Sequence, residues 1–298
     1  MPLPQKHLNL PDELVELQNY SSAVPVEGFR FVSGRRLTGA TPPLSSEVER
    51  FLVENTGESK MTQPGLVGGL FRSFSETERV PNAVLKFATQ YGHLGVRKLI
   101  AVDAPQETSG RKSFSMRWAE PLQSWFNEID EMDRLVRAWD SGWTGVPTTR
   151  KIKQTVAHIA DRLIYSWSTE LGQGTEVLAS QDLRPWLLER LLPLDSTKSI
   201  RRALRCYLQV AVNQKLKLNE VAVQLLWDRK DVELGLSMVP STLAGFMWLQ
   251  FATAIQGNVA HRRCEDCGHW FALGGRLGRS DKRFCSGTCK MRAHRKKT

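Results

Sequence analysis

The C-terminal stretch reads Arg262-Arg-Cys264-Glu-Asp-Cys267-Gly268-His-Trp270-Phe271, then a Gly/Arg loop from Gly274 to Gly278, then Lys282-Arg-Phe284-Cys285-Ser286-Gly-Thr288-Cys289-Lys290-Met-Arg292-Ala-His-Arg295-Lys-Lys-Thr298. Its two cysteine pairs, C-x2-C and C-x3-C with 17 residues between them, fit a tetrahedral four-thiolate zinc site. A short spacer lets one tight turn aim two sulfurs at a single ion about 2.3 Å away. Gly268 follows the first pair, where such a turn calls for positive φ. Trp270-Phe-Ala and Lys282-Arg-Phe284 read as two short strands joined by the loop. The run from Cys289 has no Gly or Pro and reads as a helix, with Ser286 and Thr288 able to cap it.

Two disulfides are the other common use of four cysteines. Met1 to Leu10 lacks the apolar segment of a secretory signal, so the expectation is a reducing, cytoplasmic compartment where thiols stay free. Four thiolates close the coordination sphere and leave no position for a reacting water, so the zinc is expected to be structural, one per chain. His269 and His294 are the available substitute ligands. Knuckle, hairpin and ligands at a helix start make the treble-clef order. On Cys264, Cys267, Phe271, the run 283–286, Cys289 and Arg292, the segment resembles the bacterial FCS and CGNR zinc fingers. Those fingers stand at the C-terminus of stress-induced transcriptional regulators with a helical N-terminal domain. The named motif has Gly-Asn between its last Cys and the Arg; here Lys290-Met291 stand there. The resemblance covers about an eighth of the chain and implies DNA binding.

Charge gives the same segment a second distinction. From Arg262 onward there are 11 Lys/Arg and 3 Asp/Glu, a net of +8, against 30 and 28 before it. Zinc on four thiolates lowers the finger to about +6, still far above the nearly neutral body. Arg276 and Arg279 in the loop, with Lys290, Arg292, Arg295, Lys296 and Lys297 on and beyond the helix, are the candidate nucleic-acid contacts. No apolar run approaches the ~18 residues of a membrane span.

The remainder reads as a mainly α body over residues 1–260, with the finger at 261–298. Residues 1–46 are rich in Pro, Ser and Gly, with Arg30–Leu37 a strand and turn. Residues 56–70 read as turns; they lack the Gly-Lys-Ser/Thr of a phosphate loop. Ser75-x-x-Glu78 has the form of a capping box, and Val84, Phe87, Ala88 and Tyr91 follow at helical spacing up to Gly92. His93, beside that helix end, reads as a capping or packing residue. Residues 103–115 read as a polar loop, and Leu122, Trp125, Ile129, Met132, Val136 and Trp139 mark a helix over 116–140 with a solvated acidic face. Further helices are expected at 151–171, carrying His158 and Asp161, where the Thr, Ser and Ile content equally suits a helix followed by strands, at 185–192, and at 197–215. The last of these carries the odd thiol Cys206, read as a small buried apolar residue, and a basic stripe of Arg201, Arg202 and Arg205. Residues 221–239 alternate as a β-hairpin, and an all-round apolar helix runs from Pro240 to Gln256.

The expected function is sequence-related DNA binding in transcriptional regulation, with the body sensing a signal or forming a homodimer. RNA is the variant, using Trp270 and Phe271 as stacking platforms. The rival class is a protein-interaction or assembly module in which zinc only staples the C-terminus. No nucleophile with a base, no open metal site and no cofactor loop stands out, so an enzyme is not expected.

Overall fold

The computed structural model of the protein describes residues 22–36, 48–55, 58–64, 67–103, 114–143, 197–227, 234–273 and 281–296. The chain forms two compact units, one from residues 1–131 with 219–298 and the other from 132–218. The expected helices at 151–171 and 185–192, with His158 and Asp161, lie outside the described residues.

The first unit opens with strands β1 (Ser22–Pro25), β2 (Phe29–Arg36), β3 (Glu49–Glu54) and β4 (Ser59–Thr62). Helices α1 (Leu70–Ser75) and α2 (Pro81–Tyr91) follow, then β5 (Lys98–Asp103), β6 (Phe114–Pro121) and the start of α3 (Leu122–Trp143). The second unit holds the rest of α3 and α4 (Thr197–Leu218), which buries Leu208, Val210 and Val212. The chain then returns to the first unit with β7 (Ala222–Trp227), β8 (Leu234–Val239), α5 (Leu243–Gln256), β9 (Ala260–Arg263), β10 (Trp270–Leu273) and α6 (Gly287–Arg295).

The strands β2, β3, β6 and β5 close into a small barrel in that order, every pairing antiparallel. β2 pairs with β3 along Phe29–Gly34, and its last residues, Arg35 and Arg36, pair with Ala101 and Ile100 of β5. β6 pairs with β5 along Phe114–Ala119, then with β3 at Glu120 and Pro121. Closure removes the open edges that four short strands would otherwise expose. Phe51, Val53, Ile100 and Ala119 fill the inside, with Val32 packed against them.

This barrel overturns the expectation of a mainly α body. The described residues are close to half helix and more than a quarter strand. Of its strands only β2 matches an expected one, the strand and turn at Arg30–Leu37; β3, β5 and β6 are short, and the closing pairs β2–β5 and β3–β6 are distant in sequence. Residues 116–121, read as the onset of a helix, finish β6 instead, and α3 begins at Leu122. The polar loop expected at 103–115 has strand at both ends, at Asp103 and at Phe114-Ser115. The turn region 56–70 contains β4 and the first residue of α1.

The Ser75 capping box is corrected too. Ser75 ends α1, its hydroxyl donating to the Arg72 carbonyl at 2.9 Å. The next helix restarts at Pro81, whose ring presets φ at a first helical position. Its buried residues Val84, Phe87, Ala88 and Tyr91 are those that the spacing named, and Gly92 stops it at φ 101°. Beyond the stop, His93 meets Phe29 edge to face at 4.8 Å and pairs with Glu54, a packing role.

α5 is the centre of the first unit, with ten of its 14 residues buried and Thr242 capping it by accepting from Gly245 N at 2.9 Å. Rings contact one another here in two groups, Phe71, Trp248 and Phe251 from α1 and α5, and Phe74, Phe87 and Trp125 from α1, α2 and α3, at centroid distances of 5.1 to 6.3 Å. On α3, Glu128 belongs to the face expected to be solvated, yet it is half-buried and accepts from the Trp248 indole. The β7–β8 hairpin forms in the expected place. Its cross-strand pairs Val223↔Met238 and Leu225↔Leu236 have all four side chains exposed.

Candidate metal centre

The four C-terminal cysteines converge. Their sulfurs all lie within 4.8 Å of one another, with Cys267–Cys285 at 3.6 Å and Cys285–Cys289 at 3.5 Å. A tetrahedron with bonds of about 2.3 Å has edges of about 3.8 Å, so one ion can sit among these four ligands.

Each half of the cluster is shaped locally. In the first knuckle, Gly268 N donates to Cys264 O and Cys264 N donates to His269 O, both at 2.9 Å. Gly268 takes φ 72°, and nothing lies within 4 Å of where a Cβ would stand, so conformation and not space reserves the position for glycine. In the second half, Ser286 caps α6 by accepting from Cys289 N at 3.2 Å. Glu265 N donates to Arg283 O at 3.2 Å and the two side chains form a bidentate pair, so the halves are joined before any metal is considered.

The strand pairing differs from expectation. β10 pairs with β9, Trp270↔Arg263 through Leu273↔Ala260, and residues 282–284 are not strand. The knuckle is therefore the turn of the hairpin and does not precede it. The alternation of Ala260–Arg263 is too short and too charged to announce a strand. Cys264, Phe271 and Cys289 form a small buried core with Cys267, Leu273, Phe284 and Cys285 against it.

Burial raises the thiols of Cys267 and Cys285, the latter pushed up to about 12 with the sulfurs of Cys289 and Cys267 adding to the effect. Burial opposes ionisation of Cys264 too, but hydrogen bonds from the backbone at Cys267, Cys285 and Asp266 bring it down to about 6. A cation held among the four sulfurs would deprotonate them.

The candidate basic contacts divide. Lys290 and Arg295 are exposed on α6. Arg292 and Lys296 are exposed as well and hold Asp266 of the knuckle, Nε and Nζ each 3.0 Å from a carboxylate oxygen. Those two cations keep the Asp266 carboxyl below its usual range, the Lys296 hydrogen bond foremost. Arg276, Arg279 and Lys297 lie outside the described residues.

Trp270 and Phe271 are both occupied. Phe271 is in the small core, with the Lys282 ammonium 5.5 Å from its centroid. The Trp270 ring has the Arg72 guanidinium 5.1 Å and the Arg263 guanidinium 5.2 Å from its centroid, and its indole N–H donates to Glu76 at 2.8 Å. Arg263 pairs with the same Glu76. Gly69, at φ 102°, lets the hairpin approach: a Cβ there would lie 3.0 Å from His261 Cδ2 and Trp270 Cβ. Sequence reading missed Gly69, Arg72 and Glu76, and no local signal marks them, since 194 residues separate Glu76 from Trp270.

No protein-family model matches the chain. No curated protein and no solved structure matches it significantly. Among the described residues, no helix is long and apolar enough to cross a membrane.

Proposed function

We propose that the chain is a zinc-finger nucleic-acid-binding protein, with duplex DNA the favoured partner and transcriptional regulation the favoured role. Zinc is the metal of choice because four clustered thiolates at tetrahedral spacing suit a d¹⁰ ion without geometric demands of its own. It would be held by Cys264, Cys267, Cys285 and Cys289 and would supply a structural cross-link. The observation that carries the nucleic-acid reading is α6. Cys289 is its buried residue and Ala293 is half-buried, while every other residue is exposed. From Lys282 to the end there is no acidic residue. A short, rigid, basic helix offered to solvent is suited to phosphates or a major-groove edge. The cysteine spacing it shares with the bacterial FCS and CGNR fingers points the same way.

A second reading draws on the exposed apolar side chains of β7 and β8: a protein-assembly module, with the hairpin as the contact. Ionic strength separates the two. With about four to six phosphate contacts, log affinity for duplex DNA should fall against log salt with a slope of about −4 to −5. Replacing Lys290 and Arg295 by Ala should flatten that slope by about two units and leave the metal bound, since neither is a ligand. Equal slopes in parent and variant, or no binding by the parent at about 50 mM salt, would move the weight to assembly. Single-stranded DNA and RNA in the same titration decide the nucleic acid.

A further inference from the structure

We infer that Arg292 is a positioning residue of the metal centre: its guanidinium ties the Cys289 sulfur to Asp266 of the opposite knuckle and so sets the strength of metal binding. The inference rests on the reading of the cysteine cluster as a metal site. Arg292 Nη2 lies 3.3 Å from Cys289 Sγ, and Nε lies 3.0 Å from Asp266 Oδ2. One rigid fork therefore spans both halves of the cluster, a ligand of the second and the spacer residue of the first. Its anchor is well defined, because the Asp266 side chain is 3% exposed and its other oxygen is held by Lys296 at 3.0 Å.

The physical role follows from charge. Four thiolates on a divalent ion carry a net charge of −2, and a guanidinium donating to one sulfur offsets part of it while fixing that sulfur's direction. Groups that hydrogen-bond to metal ligands typically govern affinity by about 10–100-fold. A lysine keeps the charge but lacks the planar fork, so it cannot reach sulfur and carboxylate together in the same geometry. Arg292 is thereby engaged within the finger.

Cobalt(II) replacing zinc in the full chain reads the site by its thiolate charge-transfer and visible bands. The parent should take up one tetrahedral, thiolate-bound cobalt. In Arg292→Met the affinity, from competition with a chromogenic chelator, should fall at least about 10-fold. Its charge-transfer band should move to longer wavelength, because a sulfur without its hydrogen bond gives up electrons more easily. Arg292→Lys should recover part of the affinity but not the band position. Lys282→Met removes the same charge from the finger without touching Asp266 or a sulfur, and should match the parent in both readouts. Circular dichroism should confirm that all variants are folded. Arg292→Met within twofold of the parent, or Lys282→Met falling as far, would overturn the inference. A parent without thiolate–cobalt bands would remove the metal reading itself, which is a different failure.

Discussion

Glu120 shows how much one side chain can hold. It is completely buried, yet it accepts four hydrogen bonds: from Gly95 N at 2.6 Å, Val96 N at 3.0 Å, Leu94 N at 3.1 Å and the Trp125 indole at 2.9 Å. The residue stands at the end of β6, one position before Pro121, and fastens the 94–96 loop to the start of α3. That loop in turn meets α5, since Ala244 N donates to Leu94 O at 3.0 Å. Glu120→Ala would leave three peptide N–H groups and an indole without their acceptor, two of them, Leu94 N and the indole, in buried surroundings. Each buried group so stranded costs about 1–3 kcal/mol, so the variant should lose at least about 2 kcal/mol. A urea titration followed by tryptophan fluorescence measures it; a loss under about 1 kcal/mol would show that water replaces the carboxylate. Arg-Trp-Ala-Glu reads locally like the start of the α3 helix, so no local signal points to this role.

At the scale of elements, α1 and the β9–β10 hairpin form a clasp. The Arg263–Glu76 ion pair is well exposed, and pairs of that kind contribute about 0–1 kcal/mol. The ring of Trp270 carries more, between two guanidiniums that each add about 0.5–1 kcal/mol besides the apolar area covered. Trp270→Ala should therefore loosen the finger from α1 distinctly more than Glu76→Gln does. Neither should change metal content, because the core around Cys264, Phe271 and Cys289 does not include Trp270. Limited proteolysis between Gly257 and Arg263 reports the clasp and elemental analysis the metal. Equal protection in both variants would assign the clasp to the backbone approach at Gly69 instead. The spacing of α2, the β7–β8 alternation and the apolar α5 were all legible, since each element shows its own period. Of the barrel strands only β2 was, at Arg30–Leu37; β3, β5 and β6 are short, and the closing pairs β2–β5 and β3–β6 lie far apart along the chain.

For the whole molecule, the cysteine cluster, on its proposed reading as a zinc site, and the aromatic core are separate sources of stability within the first unit. Structural zinc in small fingers is worth about 10–16 kcal/mol of apparent binding free energy, more than a core of three buried residues can replace. Chelation, or Cys285→Ser, should therefore open the finger and expose Lys282 and Arg283 to trypsin. Most of the far-UV circular dichroism should persist, since the ring contacts among α1, α2 and α3, and those within α5, involve no cysteine. Unchanged trypsin protection after metal removal would show that the Arg283–Glu265 and Trp270 contacts hold the finger unaided. The sequence alone determined the two cysteine pairs, the positive-φ glycine, the Ser286 cap and the location of the charge, because each depends on residues within a few positions of one another. It also determined the helices whose apolar residues repeat on one face. Tertiary structure decided the closed barrel, the burial of Glu120, the seat of Trp270 and the engagement of Arg292 and Lys296 with Asp266. Those depend on which distant groups come within about 3–5 Å, and burial, pairing and shape complementarity choose among partners that look equivalent along the chain.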